Sequence, residues 1–274
     1  MLEAWQSFYS WHDPVLVEIG PVQLGWYGLM YVSALLTGYF WGLWMVKRGH
    51  WPVSAGQFEA AFLWFVIGVI LGARLGYVLF YDENTLYYLA HPWQIFNPVQ
   101  NGQFVGISGL SYHGAIAGLV VALWLFSRRE SIRFWAMVDV AAVSGSAGYV
   151  FGRLGNFFNQ ELIGRVTEVP WGIYAEGALR HPSALYEAFL EGIVVFVVLT
   201  LLYRKRTFDG QMAALYGMLY TAARFVAEFW RQPDAQLGFI AFGWLTMGQL
   251  LSLLMFGVAL GVYLWLQKRA VLSR

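Results

Sequence analysis

The feature that most narrows the fold is a series of apolar stretches long enough to cross a bilayer. A spanning helix needs about 20 mostly apolar residues to traverse about 30 Å of hydrocarbon. Seven segments meet or approach that length, at 26–46, 58–81, 113–127, 135–153, 183–203, 210–230 and 244–266, the third and fourth being short and rich in Gly. Charged residues are only 12% of the chain, against about 25% in soluble domains, too few to cover a water-facing surface of this size. The expected fold class is all-α: a polytopic transmembrane helix bundle of about seven spans, forming one integral membrane domain over residues 1–274.

Charge placement sets the expected orientation. Lys47/Arg48, Arg128/Arg129/Arg133, Arg204/Lys205/Arg206 and Lys268/Arg269/Arg274 hold most of the 17 basic residues. With seven spans these clusters share one side, which predicts an outer N-terminus, a cytoplasmic C-terminus, and outward loop segments at 82–112 and 154–182. Residues 1–46 hold no Lys or Arg, so no cleaved leader with a basic n-region is expected. Trp5, Phe8, Tyr9 and Trp11 read as an amphipathic stretch on the bilayer surface. A net charge of +1 gives no pull toward nucleic acid. The chain has no Cys, which removes disulfides, zinc–thiolate sites and a thiol nucleophile; no metal or cofactor is expected.

Outside the clusters every basic residue is Arg: Arg74, Arg153, Arg165, Arg180, Arg224 and Arg231. An arginine within a span is costly and marks a candidate functional site. In the sixth span Tyr220, Arg224, Glu228 and Arg231 follow at steps of 4, 4 and 3, which keeps them on one helix face. Arg224 and Glu228 can pair within the helix, so the stripe fits either a structural ion pair or a guanidinium fork aimed at a phosphate.

The densest polar block runs from Gly152 to Arg165, with Arg153, Gly155, Asn156, Asn159, Glu161 and Gly164. Glycines allow close approach of backbone to a ligand, and Asn can donate and accept. Ser111-Tyr112-His113-Gly114 opens the third span, where a neutral imidazole could serve as general base or simply cap a helix. His181-Pro182-Ser183 has the chemistry of a helix start. Tyr27, in Gly25-Trp26-Tyr27-Gly28, fits an interfacial aromatic belt. Gly106-Ile107-Ser108-Gly109 matches the short Gly-x-Ser-Gly pattern of rhomboid-type proteases, a match that chance readily produces in a chain with 30 Gly.

Together these residues resemble the bacterial prolipoprotein diacylglyceryl transferase family. The Gly152–Arg165 block is similar to its signature. Gly25–Gly28, Ser111–Gly114, His181-Pro182-Ser183 with Leu185-Tyr186-Glu187, and Tyr220–Arg231 running into Gln232-Pro233-Asp234 match in the same order. The resemblance implies transfer of the diacylglyceryl group of phosphatidylglycerol to the lipobox cysteine thiol of a prolipoprotein signal peptide, in the bacterial inner membrane. By the same resemblance His113, Arg224, Tyr27, Tyr220 and Glu161 are candidate catalytic residues. Arg153, Asn156, Arg74, Gly155, Gly164, Asn159, Asp139, Glu228 and Arg231 are candidates for binding phosphatidylglycerol. Arg153 looks like the headgroup-capturing arginine and Arg224 like the one at the leaving group. The chain departs from the family pattern at Ala184, where a glutamine is usual, and it lacks the usual prolines in 143–151. A transporter or binder of anionic phospholipid would also carry outer-face arginines, but it gives no reason for His113 and Glu161 beside them.

Overall fold

The computed structural model describes all residues except 1, 21, 50, 101–102, 105–108, 234–236 and 273–274. Residues 106–108 of the Gly-x-Ser-Gly match and Asp234 lie outside the described residues. The chain is mostly helical. It opens with α1 (Leu2–Gln6), α2 (Phe8–Trp11) and a hairpin of β1 (Val15–Ile19) and β2 (Val22–Gly25), then α3 (Trp26–Lys47) and α4 (Ala55–Phe80). α5 (Thr85–Ala90) and the minimal hairpin of β3 (Val99–Gln100) and β4 (Gln103–Phe104) lead to α6 (Tyr112–Arg129) and α7 (Phe134–Phe158). Next come β5 (Ile173–Ala175) and β6 (Ala178–Arg180), then a helix that begins as α8 (Ser183–Glu187), widens into a π-helical turn over Ala188–Val194 and continues as α9 (Val195–Leu202). α10 (Gln211–Ala227), the hairpin of β7 (Phe239–Ala241) and β8 (Leu245–Thr246), and α11 (Met247–Leu272) follow. The four hairpins are separate antiparallel pairs.

Among the described residues five helices are long and apolar enough to cross a membrane: Trp26–Lys47, Ala55–Phe80, Phe134–Phe158, Ser183–Lys205 and Met247–Leu272. α6 and α10, expected as the third and sixth spans, do not reach that standard. α10 has 17 residues with Arg224 in its last turn, and α6 ends on Arg128 and Arg129. The fourth segment is longer than its sequence suggested, a helix of 25 residues. Gly148 serves packing: a Cβ there would strike the Ala34 backbone of α3.

The described chain forms two compact units, Val46–Met137 and Met1–Met45 with Val138–Arg274. In the first, Ser54 and Gln57 form a reciprocal capping box that starts α4. Ser111 Oγ accepts from Gly114 N–H at 3.1 Å and starts α6. Gly68, Gly72 and Gly76 of α4 face Gly114 and Gly118 of α6 so closely that a Cβ at any of the five would overlap the opposite helix. Small residues are what permit such backbone-to-backbone crossings in lipid.

In the second unit, Asp139 near the start of α7 is fully buried. Its Oδ2 and Oδ1 accept from Gly210 N–H and Ala213 N–H at 2.8 Å each. The carboxylate therefore satisfies the orphan donors at the N-terminus of α10. The N-terminal aromatics pack on protein: Trp5, Phe8 and Tyr9 join Phe157, Phe158, Ile173, Ala184 and Leu185 in one cluster. Trp5 Nε1 donates to Trp171 O at 3.0 Å. Only Trp11 of the four keeps the exposure expected of a surface-resting ring, at 62%.

Candidate active site

α7, the α8–π–α9 helix and α10 bring their polar residues together in the second unit. Arg153 Nη1 lies 3.0 Å from Glu187 Oε2 and its Nη2 3.3 Å from Glu191 Oε2. Arg224 Nη1 lies 3.3 Å from Glu187 Oε1 and 3.5 Å from Glu191 Oε1, and its Nη2 lies 2.8 Å from Glu228 Oε2. Arg231 Nη1 lies 3.3 Å from Glu187 Oε1. Three guanidinium groups thus balance three carboxylates. The Arg153, Arg224 and Arg231 side chains keep 17%, 16% and 18% exposure, while those of Glu187, Glu191 and Glu228 keep 0%, 0% and 6%. What remains accessible in the cluster belongs to the arginine side chains; the acids are the buried partners. A neutral cluster with a cationic face avoids the cost of unpaired buried charge and can still receive an anion.

The loop after α7 continues this constellation. Asn156 Oδ1 accepts from Arg153 Nη1 at 3.4 Å, and Asn156 Nδ2 donates to Glu161 Oε2 at 3.0 Å. Asn159 Nδ2 donates to Glu161 Oε1 by a short bond. Gln160 and Leu162 flank Glu161 at φ of 58° and 56°, a left-handed backbone that non-Gly residues adopt only when surroundings hold them. Gln160 Nε2 supplies part of that hold by donating to His12 O at 3.0 Å. Ser183 Oγ adds a bond to Leu162 O at 2.5 Å. The carboxylate of Glu161 remains exposed.

Residues 14–265 match the family described as prolipoprotein diacylglyceryl transferase. The phosphatidylglycerol–prolipoprotein diacylglyceryl transferase of Aliarcobacter butzleri is 55% identical over 262 residues, 96% of each chain. The enzymes of the same name from Wolinella succinogenes and Campylobacter lari are 55% identical over 92% of each chain, and 51% identical over 96% of this chain and 97% of theirs. The chain belongs to this family.

Against the family resemblance, the structure joins Arg153, Asn156, Asn159, Glu161, Arg224, Glu228 and Arg231 in one connected network. Tyr220 reaches it through its ring contact with Tyr149. Tyr27 is exposed and packs against Gly155, where an added Cβ would come within 3.2 Å of its ring. Gly164 has a packing role: its N–H donates to His181 O at 3.1 Å, and a Cβ would collide with that carbonyl and with Trp230 O. Arg231 lies past the end of α10, because the chain turns at Glu228–Trp230 and Arg231 bridges to Gly164 as a strand would. His113 and Arg74 belong to the other unit. His113 is exposed on the first turn of α6, with Nδ1 3.4 Å from Tyr81 Oη. Arg74 is buried and donates to Ile95 O at 2.5 Å and Gly109 O at 3.3 Å, so it ties loop backbone to α4.

Asp139 stands apart from this network. Both oxygens are committed to the start of α10, and the 14 residues to Arg153 put it about 21 Å down the same helix. In this structure its place is that of a helix cap, apart from the arginine network. Two network members, Tyr149 and Glu191, are not among the residues that the sequence singles out. Tyr149 Oη donates to Glu191 Oε2 by a short bond and accepts from Arg153 Nε at 2.9 Å and Nη2 at 2.6 Å. Each stands four residues from a residue already noted, Arg153 and Glu187, the same spacing as Arg224 and Glu228. Among the described residues no group of His, Asp and Glu is placed to hold a metal ion.

Proposed function

We propose that the chain transfers the diacylglyceryl group of phosphatidylglycerol to the lipobox cysteine thiol of a prolipoprotein signal peptide. The carbon–oxygen bond to phosphate breaks, a carbon–sulfur bond forms, the thiol proton passes to a base, and glycerol phosphate leaves with the bonding pair. The observation that carries this reading is the row of Arg153, Arg224 and Arg231 guanidiniums paired with buried acids, a preorganised receptor for phosphate. The sulfur belongs to the substrate, in keeping with a chain that has no Cys.

In this reading Arg153 captures the headgroup phosphate and Arg224 stabilises the leaving oxygens. His113 takes the thiol proton. Asn156 and Asn159 orient Glu161 beside Arg153, and Tyr27 and Tyr220 flank the arginines. α6 and α10 complete seven spans in the bacterial inner membrane, with the N-terminus outside and the C-terminus in the cytoplasm. The four basic clusters support that orientation, and the bare apolar side chains of α11, among them Leu251, Leu254 and Val258, suit contact with lipid.

Purified protein, phosphatidylglycerol and a lipobox peptide should give a peptide heavier by one diacylglyceryl group and one equivalent of glycerol phosphate. A peptide with Ser in place of Cys should stay unmodified. Absence of the thioether with active lipid and peptide would refute the transfer reading. Reporter fusions after Gly49, Glu130 and Lys205 should all signal cytoplasm; a signal from outside overturns the orientation.

A further inference from the structure

Glu191 and Tyr149 have no part in the reaction above, yet Glu191 is packed against both arginines that do and Tyr149 against Arg153. Glu191 lies in the π-helical turn Ala188–Val194, a rare geometry that concentrates at functional sites. Its two oxygens face different arginines, Oε2 toward Arg153 at 3.3 Å and Oε1 toward Arg224 at 3.5 Å. The Tyr149 hydroxyl stands between Arg153 and Glu191, accepting from one and donating to the other. The remaining charged or titratable groups at this point are Glu187 on the same helix and Tyr220 on α10, which stands against Tyr149.

An anion that docks on these arginines competes with the carboxylates paired to them for the same N–H groups. Its affinity is therefore a difference, set by how firmly the acids hold the guanidiniums. The Glu191–Arg224 contact is the longest of those that join Arg224 to the acids. Glu191 Oε1 and Arg224 Nη1 are buried without a hydrogen bond although they lie 3.5 Å apart. Drawing Nη1 toward a ligand oxygen would break no hydrogen bond and would lengthen only its ion-pair contacts with Glu191 and Glu187. The charge also changes during the reaction: a phosphodiester carries one negative charge, whereas a phosphomonoester product carries nearly two at neutral pH. A receptor with uncompensated arginines would hold that product tightly. Binding of this kind lowers KM without raising turnover.

We propose that Glu191, held by Tyr149, is a positioning residue that keeps Arg153 and Arg224 in register and weakens their grip on phosphate enough for glycerol phosphate to leave. This deepens the phosphatidylglycerol reading of the site and rests on it.

The test is Glu191→Gln in lipid nanodiscs, with apparent KM for phosphatidylglycerol, kcat and inhibition by added glycerol phosphate measured together. Removing the charge should lower KM and the inhibition constant at least about fivefold, the effect of one unit charge about 4 Å away at water-like screening. kcat should fall in the same variant. Glu191→Asp should return both constants toward the wild type, and Tyr149→Phe should shift them in the same direction by less. A KM that is unchanged or raised in Glu191→Gln would reduce the residue to a structural ion pair and overturn the proposal. If Glu191→Gln does not fold, Tyr149→Phe decides by the same signs. If the wild type itself forms no thioether, the transfer reading fails. Calorimetric binding of glycerol phosphate to wild type and Glu191→Gln then still judges this inference, which stands if the variant binds more tightly and falls if it does not.

Discussion

Arg224 and Glu228, one turn apart, form the shortest ion pair of the buried cluster, with Nη2 and Oε2 2.8 Å apart. The other Glu228 oxygen accepts from Thr246 Oγ1 at 3.0 Å. Thr246 and Gln249 form a reciprocal capping box at the start of α11. The position of Arg224 is therefore fixed from two helices, its own and α11.

Thr246→Val should expose that coupling. The substitution keeps the shape but removes the cap and leaves a buried carboxylate oxygen without its donor. Such an orphan costs about 1–3 kcal/mol, so the thermal midpoint in detergent should drop by several degrees. Thr246→Ser, which restores the hydroxyl, should recover most of it. Equal loss in both variants would mean that the methyl group's packing, not the hydroxyl, matters.

Asp139→Ala should destabilise the protein by at least about 2 kcal/mol, since it strands two buried N–H groups at the start of α10. Asp139→Asn, with one acceptor oxygen left, should lie between. Because the residue is remote from the arginines, KM for phosphatidylglycerol measured on the folded fraction should be unchanged in Asp139→Asn. A large rise in that KM would return Asp139 to the lipid site.

These two residues show what the sequence could and could not disclose. Arg224 and Glu228 were legible because their partners are four residues apart on one helix, where a period of 3.6 suffices. The capping contacts of Asp139 were not legible because its partners are backbone N–H groups some 70 residues away, and backbone donors leave no mark in a sequence. Glu191 repeats the Arg224/Glu228 spacing with Glu187, but two acids four residues apart carry no pairing signal of their own. Its meaning came only from three helices meeting. The long helices were legible from apolar length alone, whereas strands of two to five residues are too short for an alternating pattern. The sequence places Arg153 at the head of the glycine-containing block Gly152–Arg165, where a loop is expected from 154 on. Instead Arg153 sits in the last turns of α7, with Tyr149, Glu187 and Glu191 fixing its guanidinium, so unequal stiffness cannot separate its role from that of Arg224.

His181 should make stability depend on pH. Trp171 Nε1 donates to Tyr186 Oη at 2.7 Å, which leaves the Tyr186 proton for His181 Nδ1 at 3.2 Å. That chain requires a neutral imidazole. Burial first, and Arg165 second, lower the His181 pKa below its ordinary value. The unfolded chain then binds more protons than the folded one as pH falls through the usual His range, so this contribution is full above about pH 6.5 and is lost below it. Thermal midpoints from pH 8 to 5 should decline more steeply for the wild type than for His181→Gln. Parallel curves would exclude the imidazole as the source.

His113→Asn should lower turnover while leaving phosphatidylglycerol binding nearly unchanged. General-base help is typically worth about 10²–10⁴-fold. A cysteine thiol with a pKa of about 8.5 is already partly ionised at neutral pH, which places the loss at the low end. Tyr81 Oη, beside Nδ1, is positioned to orient the ring, so Tyr81→Phe should give a smaller loss in the same constant. Near-wild-type turnover in His113→Asn would move the base elsewhere, with Tyr27 the next residue to test.

The two arginines should fail differently when replaced by lysine, which keeps the charge and loses the planar fork. Arg224 lies within ion-pair range of Glu187, Glu191 and Glu228 at once, and a single ammonium on a flexible stem cannot hold that geometry as leaving-group charge develops. An interaction tightened only in the transition state lowers kcat when it is lost, whereas one made equally with substrate raises KM. Arg224→Lys should therefore stay at least about 10²-fold slow at saturating phosphatidylglycerol, the scale of losing one preorganised donor at a developing oxyanion. Arg153→Lys retains a cation opposite Glu187, and with Arg153 assigned to headgroup capture its deficit should shrink as the phosphatidylglycerol fraction rises. Rate measurements on both variants across a series of lipid compositions separate the outcomes. Recovery of Arg224→Lys at high lipid, or a fixed deficit in Arg153→Lys, would show that the arginines share one role, as their common pairing with Glu187 and Glu191 also permits.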